Sequence, residues 1–385
     1  IRDAQESRGL GDVYKRQAQQ KEMERLVAEA MEQGARGMST GLFYPPGFYA
    51  RTDEVIGLAR VVARHGGIYS SHIRGESDTL FEAVDEAVEI GLRADVTVEI
   101  AHLKLAGYRN WGGVERLLTT LEEAQARGLR LGCDQYPYRA SSTWLSAMLP
   151  YWAQTGGAKG IADRLRDPAV RARLRQDWEE NRAEWEDRGG MRDWSDIVVA
   201  ECEARPETLG RSIDEIAAAD GRDPLETVFD LIVVSEGQVA CVWFDQSEDN
   251  VRAIMRHPLV AVGSDGSSLS PEGILGQRKV HPRNYGTFPR VLGRYVREEK
   301  VLSLEEAVQK MTSVTAARFG LADRGVVRPG AWADLVLFSA AAVADEATFT
   351  DPHRYPSGIP YVIVNGQMVI ENGAHTGALP GAILT

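Results

Sequence analysis

The sequence predicts an α/β fold: a (β/α)8 TIM-type barrel with an inserted subdomain and a small C-terminal β segment. Three observations predict it. Helix-length and strand-length apolar patterns alternate from Ala18 to Tyr138, as the βαβ units of a parallel sheet require. Polar residues recur at the strand ends: Thr40 to His72 is 32 positions, His72 to His102 is 30 and His102 to Asp134 is 32, close to the ~31 residues of one barrel unit. The alternation then breaks, resumes, and ends in short strands with an Asn365-Gly366 hairpin signal. A doubly wound sheet shares the period, but polar chemistry at consecutive strand ends favours the barrel, whose catalytic face is built from those ends.

Residues 1–17 contain SRGLGDVYKRQ, show no helix or strand periodicity and resemble linker-derived peptide; a non-native leader is expected there. Residues 22–33 read as a charged helix with Met23, Leu26, Val27, Ala30 and Met31 on one face. An apolar strand at 35–42 follows. Residues 52–65 read as a helix capped by Thr52, with Asp53 and Glu54 at its positive end. Strands at 68–73, 96–103 and 129–134, separated by helices at 79–92 and 114–127, complete a first barrel part over 18–140. The Trp-, Arg- and Glu-rich stretch 141–205 predicts an insertion or lid with helices near 161–186. A second barrel part over 206–322 is expected from helices near Ile213 and Leu225 and strands at 238–244 and 259–265. Strands at 333–338, 361–364 and 367–370 assign 323–385 to a small β segment.

Composition excludes several function classes. Lys and Arg number 44 against 56 Asp and Glu, a formal charge of −12, and no basic stripe offers the footprint of a nucleic-acid binder. No uncharged run approaches the ~18 residues of a membrane span, and no signal peptide opens the chain. Cys133, Cys202 and Cys241 are odd in number and far apart, which argues against a disulfide framework or a thiolate zinc knuckle and for a reducing, cytoplasmic setting. A soluble, intracellular-looking globular protein is expected.

The candidate chemistry lies at the strand ends. His72 shares a face with Ile68 and Ser70, and His102 with Val98, Ile100 and Lys104. Two histidines at the ends of adjacent parallel strands can bring ring nitrogens to one metal ion near the barrel mouth. Zinc takes imidazole at about 2.0–2.1 Å and can keep a position open for water. Lys104 adds a positive charge suited to an anionic substrate. The strand at 259–265 delivers Asp265 at its end, although Ser264-Asp265-Gly266 alone would also serve as a turn. A carboxylate near a metal-bound water can take its proton and pass it to a leaving group. GxSxG, P-loop and GxGxxG motifs are absent.

STGLFYPP (39–46), IYSSHIRGE (68–76), EIAHLK (99–104), DQYPY (134–138), GSDG (263–266) and HPRNYGTFPRVLG (281–293) resemble the D-aminoacylase family, the N-acyl-D-amino-acid deacylases of the amidohydrolase superfamily. MTSVTAARFGL (311–321), GVVRPGAWADLVLF (325–338) and VNG (364–366) resemble its C-terminal part. The resemblance runs from about Gly34 to the end, and the HPR block separates it from dihydroorotases and hydantoinases. It implies a metal-dependent hydrolase barrel and zinc-dependent hydrolysis of N-acyl-D-amino acids to a carboxylate and a free D-amino acid. His72 and His102 match zinc-binding histidines; Asp265 matches the aspartate that joins them as a metal ligand and acts on the metal-bound water as proton carrier. Lys104, Tyr136 and Arg283 match positions that hold the substrate carboxylate and orient the amide. The first-strand HxH and second-strand Cys of the pattern are missing, and no Met opens the chain. An N-terminally truncated, inactive copy is therefore expected. The alternatives are another amidohydrolase such as a cyclic amidase, and an inactive metal-free binding homologue.

Overall fold

Short apolar runs, each followed by an amphipathic helix, build the main layer of the molecule. The structure is a computed structural model that describes residues 11–180 and 192–384. In chain order, α1 (Gly11–Glu32), β1 (Gly37–Gly41), α2 (Thr52–Arg64), β2 (Ile68–His72), α3 (Leu80–Ala94), β3 (Thr97–Ile100), α4 (Val114–Ala126) and β4 (Leu131–Gln135) alternate. The four strands pair in parallel in that order, with Gly41 opposite His72, Ser71 opposite Ile100 and Ile100 opposite Cys133. This register brings their C-terminal ends to one edge, where polar side chains need not be buried among the Val98, Ile100, Leu117 and Leu121 core.

Two details differ from expectation. Helix α1 begins at Gly11 rather than at 22, inside the segment expected to lack structure. Extending an existing helix adds one hydrogen bond per residue, and Lys15 to Gln20 are good helix formers. Residues 1–10 of the expected leader lie outside the described residues. Thr52 is the first helical residue rather than the cap: Arg51 precedes the helix without a side-chain cap bond, and the Thr52 hydroxyl donates to Glu86 Oε1 at 2.8 Å.

The chain then leaves the parallel sheet. β5 (Ser141–Trp144), α5 (Gly157–Leu165), α6 (Pro168–Glu180), β6 (Ile197–Cys202), α7 (Ile213–Asp220), α8 (Pro224–Val234) and β7 (Val239–Trp243) form a separate layer. The end of the helical stretch expected to 186 falls outside the described residues. Here one strand is corrected: 238–244, expected as a barrel strand, is the centre of an antiparallel sheet in the order β5-β7-β6. An uninterrupted apolar run such as Val239–Trp243 suits any doubly covered strand, so its pattern cannot name its partners. Ile213, Phe229 and Cys241 pack with Leu145, Ile161 and Leu174 in a second core.

Helix α9 (Glu248–Arg256) returns the chain to the parallel sheet, where β8 (Val260–Val262) pairs with β4, Cys133 opposite Val260. Five parallel strands, β1-β2-β3-β4-β8, are thus described. Helix α10 (Arg283–Arg290) continues as a π-helix over Val291–Glu298, and α11 (Leu304–Met311) and α12 (Ser313–Arg318) follow. The C-terminal strands β9 (Leu335–Leu337), β10 (Tyr361–Val364), β11 (Gln367–Glu371) and β12 (Ala374–His375) form an antiparallel sheet. Asn365 and Gly366 both have positive φ, +47° and +78°, as a two-residue hairpin turn requires. No described helix is long and apolar enough to cross a membrane, and all three cysteines are buried.

Candidate metal centre

His72 ends β2, and His102 stands two residues beyond β3. The His102 backbone is left-handed, φ +39°, a conformation uncommon outside glycine and found disproportionately at functional sites. Asp134, at the end of β4, holds it there: His102 N–H donates to Asp134 Oδ1 at 2.8 Å. Burial raises the Asp134 pKa, and the His102 N–H opposes that rise. Asp265, three residues beyond β8, is left-handed as well, φ +47°.

The two imidazoles stand 4.4 Å apart between ring centroids. Glu76 joins them: its Oε1 is 3.0 Å from His102 Nδ1 and 3.8 Å from His72 Nε2. One donor atom from each of His72, Glu76 and His102 lies within 4.8 Å of the other two. Lys104 Nζ sits 2.5 Å from Glu76 Oε1 and 2.8 Å from His102 Nδ1. Burial pushes the Glu76 carboxyl up, but Lys104, His72 and His102 together hold it well below the usual carboxylate range. His72 packs against the rings of Phe43 and Tyr44, and burial lowers its pKa to about 4. The ring is therefore neutral at pH 7, and its Nε2 is buried without a hydrogen-bond partner. A neutral imidazole with an unused nitrogen beside an ionised carboxylate and a second imidazole is a donor set that fits a divalent cation of the zinc type.

Around this cluster lies a cavity of about 200 Å³. Asp265 faces it from outside the three-donor group, with its Oδ2 2.8 Å from Arg283 Nη1. The Arg283 guanidinium lies 4.9 Å from the Tyr136 ring centre, and Lys104 Nζ is 5.7 Å from the same ring. Tyr136 is buried, and its hydroxyl accepts from Gln246 Nε2 at 3.0 Å. The structure thus gathers His72, His102, Lys104, Tyr136, Asp265 and Arg283 around one cavity. His281 fixes the start of α10: it accepts from Arg283 N–H at 3.0 Å and donates from Nε2 to Ala140 O at 2.9 Å. Burial, with Arg283 beside it, keeps His281 neutral, well below its ordinary pKa.

Sequence reasoning missed two acidic residues here. Glu76 stands four residues after His72 in a non-helical loop, where no periodicity marks it. Asp245 follows the apolar run of β7 as a polar residue at a strand end, the signal that singled out His72. Its Oδ2 accepts from Ser141 Oγ at 2.7 Å, its Oδ1 has no partner, and burial raises its pKa to about 7.

A sequence profile of the amidohydrolase family matches residues 4–370. The D-aminoacylase of Alcaligenes xylosoxydans xylosoxydans is 37% identical over 363 residues, 94% of this chain and 64% of that protein. An N-acyl-D-glutamate deacylase from the same organism is 38% identical over 366 residues, 95% of this chain and 64% of that protein. The crystal structure of the N-acyl-D-glutamate deacylase of Bordetella bronchiseptica, complexed with zinc and a phosphonate mimic of the tetrahedral intermediate, superposes with a TM-score of 0.78 at 34% identity. That match covers 100% of this chain and 68% of that one. The chain spans about 64% of the length of these two sequence relatives. With the family profile covering nearly all of it and the parallel sheet carrying its polar residues at the strand ends, this chain belongs to the amidohydrolase family.

Proposed function

We propose that the chain performs zinc-dependent hydrolysis of the amide bond of N-acyl-D-amino acids, releasing a carboxylate and a free D-amino acid. The observation that carries this reading is the unpartnered His72 Nε2 beside Glu76 and His102, opening on a cavity that also presents Lys104, Arg283 and Asp265. The names of the relatives, D-aminoacylase and N-acyl-D-glutamate deacylase, support the substrate class. Three buried cysteines, odd in number and far apart in the sequence, support a cytoplasmic setting.

His72 and His102 would hold the ion. Zinc supplies a Lewis acid that polarises a carbonyl and makes water acidic enough to attack near neutral pH. The chain's own groups do the rest. Arg283 offers a planar fork and Lys104 a compact charge to the substrate's α-carboxylate, and Tyr136 packs between them as a fixed apolar wall. Asp265 takes a proton from the attacking water and returns it to the leaving nitrogen, so the amine departs neutral. The test is to express the full chain, load it with zinc and follow N-acetyl-D-methionine hydrolysis. Against the inactive copy expected from the missing HxH and Cys, stereospecific turnover that disappears in His72→Ala and His102→Ala would uphold the proposal; zinc-loaded protein without turnover of N-acyl-D-amino acids would overturn it.

A further inference from the structure

Resting on the metal-dependent reading above, we propose that Glu76 is the third protein donor of the centre, and that an ion bound there takes this carboxylate from Lys104 and so frees the ammonium for the substrate's carboxylate. One oxygen, Glu76 Oε1, faces three groups at once: Lys104 Nζ at 2.5 Å, His102 Nδ1 at 3.0 Å and His72 Nε2 at 3.8 Å. Lys104 also occupies His102 Nδ1, at 2.8 Å. An ammonium and a dication thus compete for the same two acceptors, and two cations at such separations repel strongly where water is scarce.

Lys104 is buried. Its side chain is 3% exposed, and a buried ammonium stripped of its carboxylate is costly until another anion pairs with it. The space it can turn toward is bounded by the face of Tyr136, which Arg283 also covers. A substrate carboxylate between Lys104 and Arg283 would supply the missing charge. Loading of the ion and binding of the anion are then coupled, each raising the affinity for the other by the same factor. In the absence of the ion, Glu76 keeps Lys104 paired.

The experiment measures zinc affinity by chelator competition, with cobalt absorption as a second readout, on the full chain and on Glu76→Gln, Lys104→Met and the double variant. Glu76→Gln is expected to weaken binding ~10-fold or more. Lys104→Met is expected to tighten it several-fold, a gain that misfolding cannot imitate. In the Glu76→Gln background, Lys104→Met is expected to tighten binding by a smaller factor, because of the two contested acceptors only His102 Nδ1 remains. Unchanged affinity in Glu76→Gln, no tightening in Lys104→Met, or equal tightening in both backgrounds would overturn the inference. A wild-type chain that binds no metal overturns it together with the proposed function. The expected affinity pattern without amide hydrolysis upholds it while overturning the proposed function.

Discussion

Four buried atoms without hydrogen-bond partners, His72 Nε2, Trp243 Nε1, Asp245 Oδ1 and Arg283 Nη1, belong to residues lining one cavity. Arg283 Nη1 lies 2.8 Å from Asp265 Oδ2 yet makes no aligned hydrogen bond, so the pair is held by charge and is open to exchange with an incoming carboxylate. Asp265 lies outside the three-donor cluster. Asp265→Asn should therefore leave zinc per chain unchanged while lowering kcat by ~10²–10⁴; metal analysis and initial rates on one preparation check both halves. Asp245 gives a pH test. Its carboxyl titrates at about 7 in the folded chain against an ordinary 3.8, so between those values the folded state keeps a proton that the unfolded state releases. The stability contribution is full below 3.8 and is lost as the pH rises through about 7. Asp245→Asn should match the wild type at pH 4 and exceed it at pH 8 by ~1–4 kcal/mol. Urea unfolding at the two pH values measures this, and identical differences at both would mean that Asp245 does not titrate.

Elements differ in how far the sequence discloses them. From β1 to β4 the strands alternate with the amphipathic helices α2, α3 and α4, so periodicity places them, and the polar residue at each strand's end marks the site's edge. β7 has the same apolar pattern but antiparallel partners more than 35 residues away in sequence, Ser141–Trp144 and Ile197–Cys202; nothing local encodes that choice. Glu76 was illegible for a related reason: it lies in a loop, where spacing from His72 has no fixed geometry. A buried ion pair within the sheet was equally unmarked. Glu99 of β3 accepts from Arg318 of α12 at 2.8 and 3.1 Å, and Arg318 also donates to Cys133 O at 2.8 Å. Gly132 of β4 leaves room for this pair, since a Cβ there would overlap both side chains. Gly132→Ala should cost ~1–3 kcal/mol of stability, as overpacking of an otherwise filled interior does, measured by denaturant titration.

At the scale of the whole molecule, the site joins two separately packed units. His72, Glu76, His102 and Lys104 come from the parallel sheet and its loops, while Ser141, Trp243 and Asp245 come from the antiparallel layer with its own core. Lines of contact cross between them: Gly107 N–H donates to Asp245 O at 2.8 Å and Trp111 Nε1 to the same oxygen at 3.0 Å. An ion bound only by the folded chain stabilises it by mass action, about 2.7 kcal/mol at a free concentration 100 times its Kd. Zinc should therefore raise the unfolding temperature of the wild type, and His72→Ala should abolish the rise. Where that stabilisation is felt depends on the junction. If the antiparallel layer is tied to the centre through Asp245, zinc should slow amide exchange in β5 and β7 as well as at the ends of β2 and β3. Protection confined to β2 and β3 would mean that the layer covers the cavity without sharing in its energetics, because groups that stabilise a site are protected along with it.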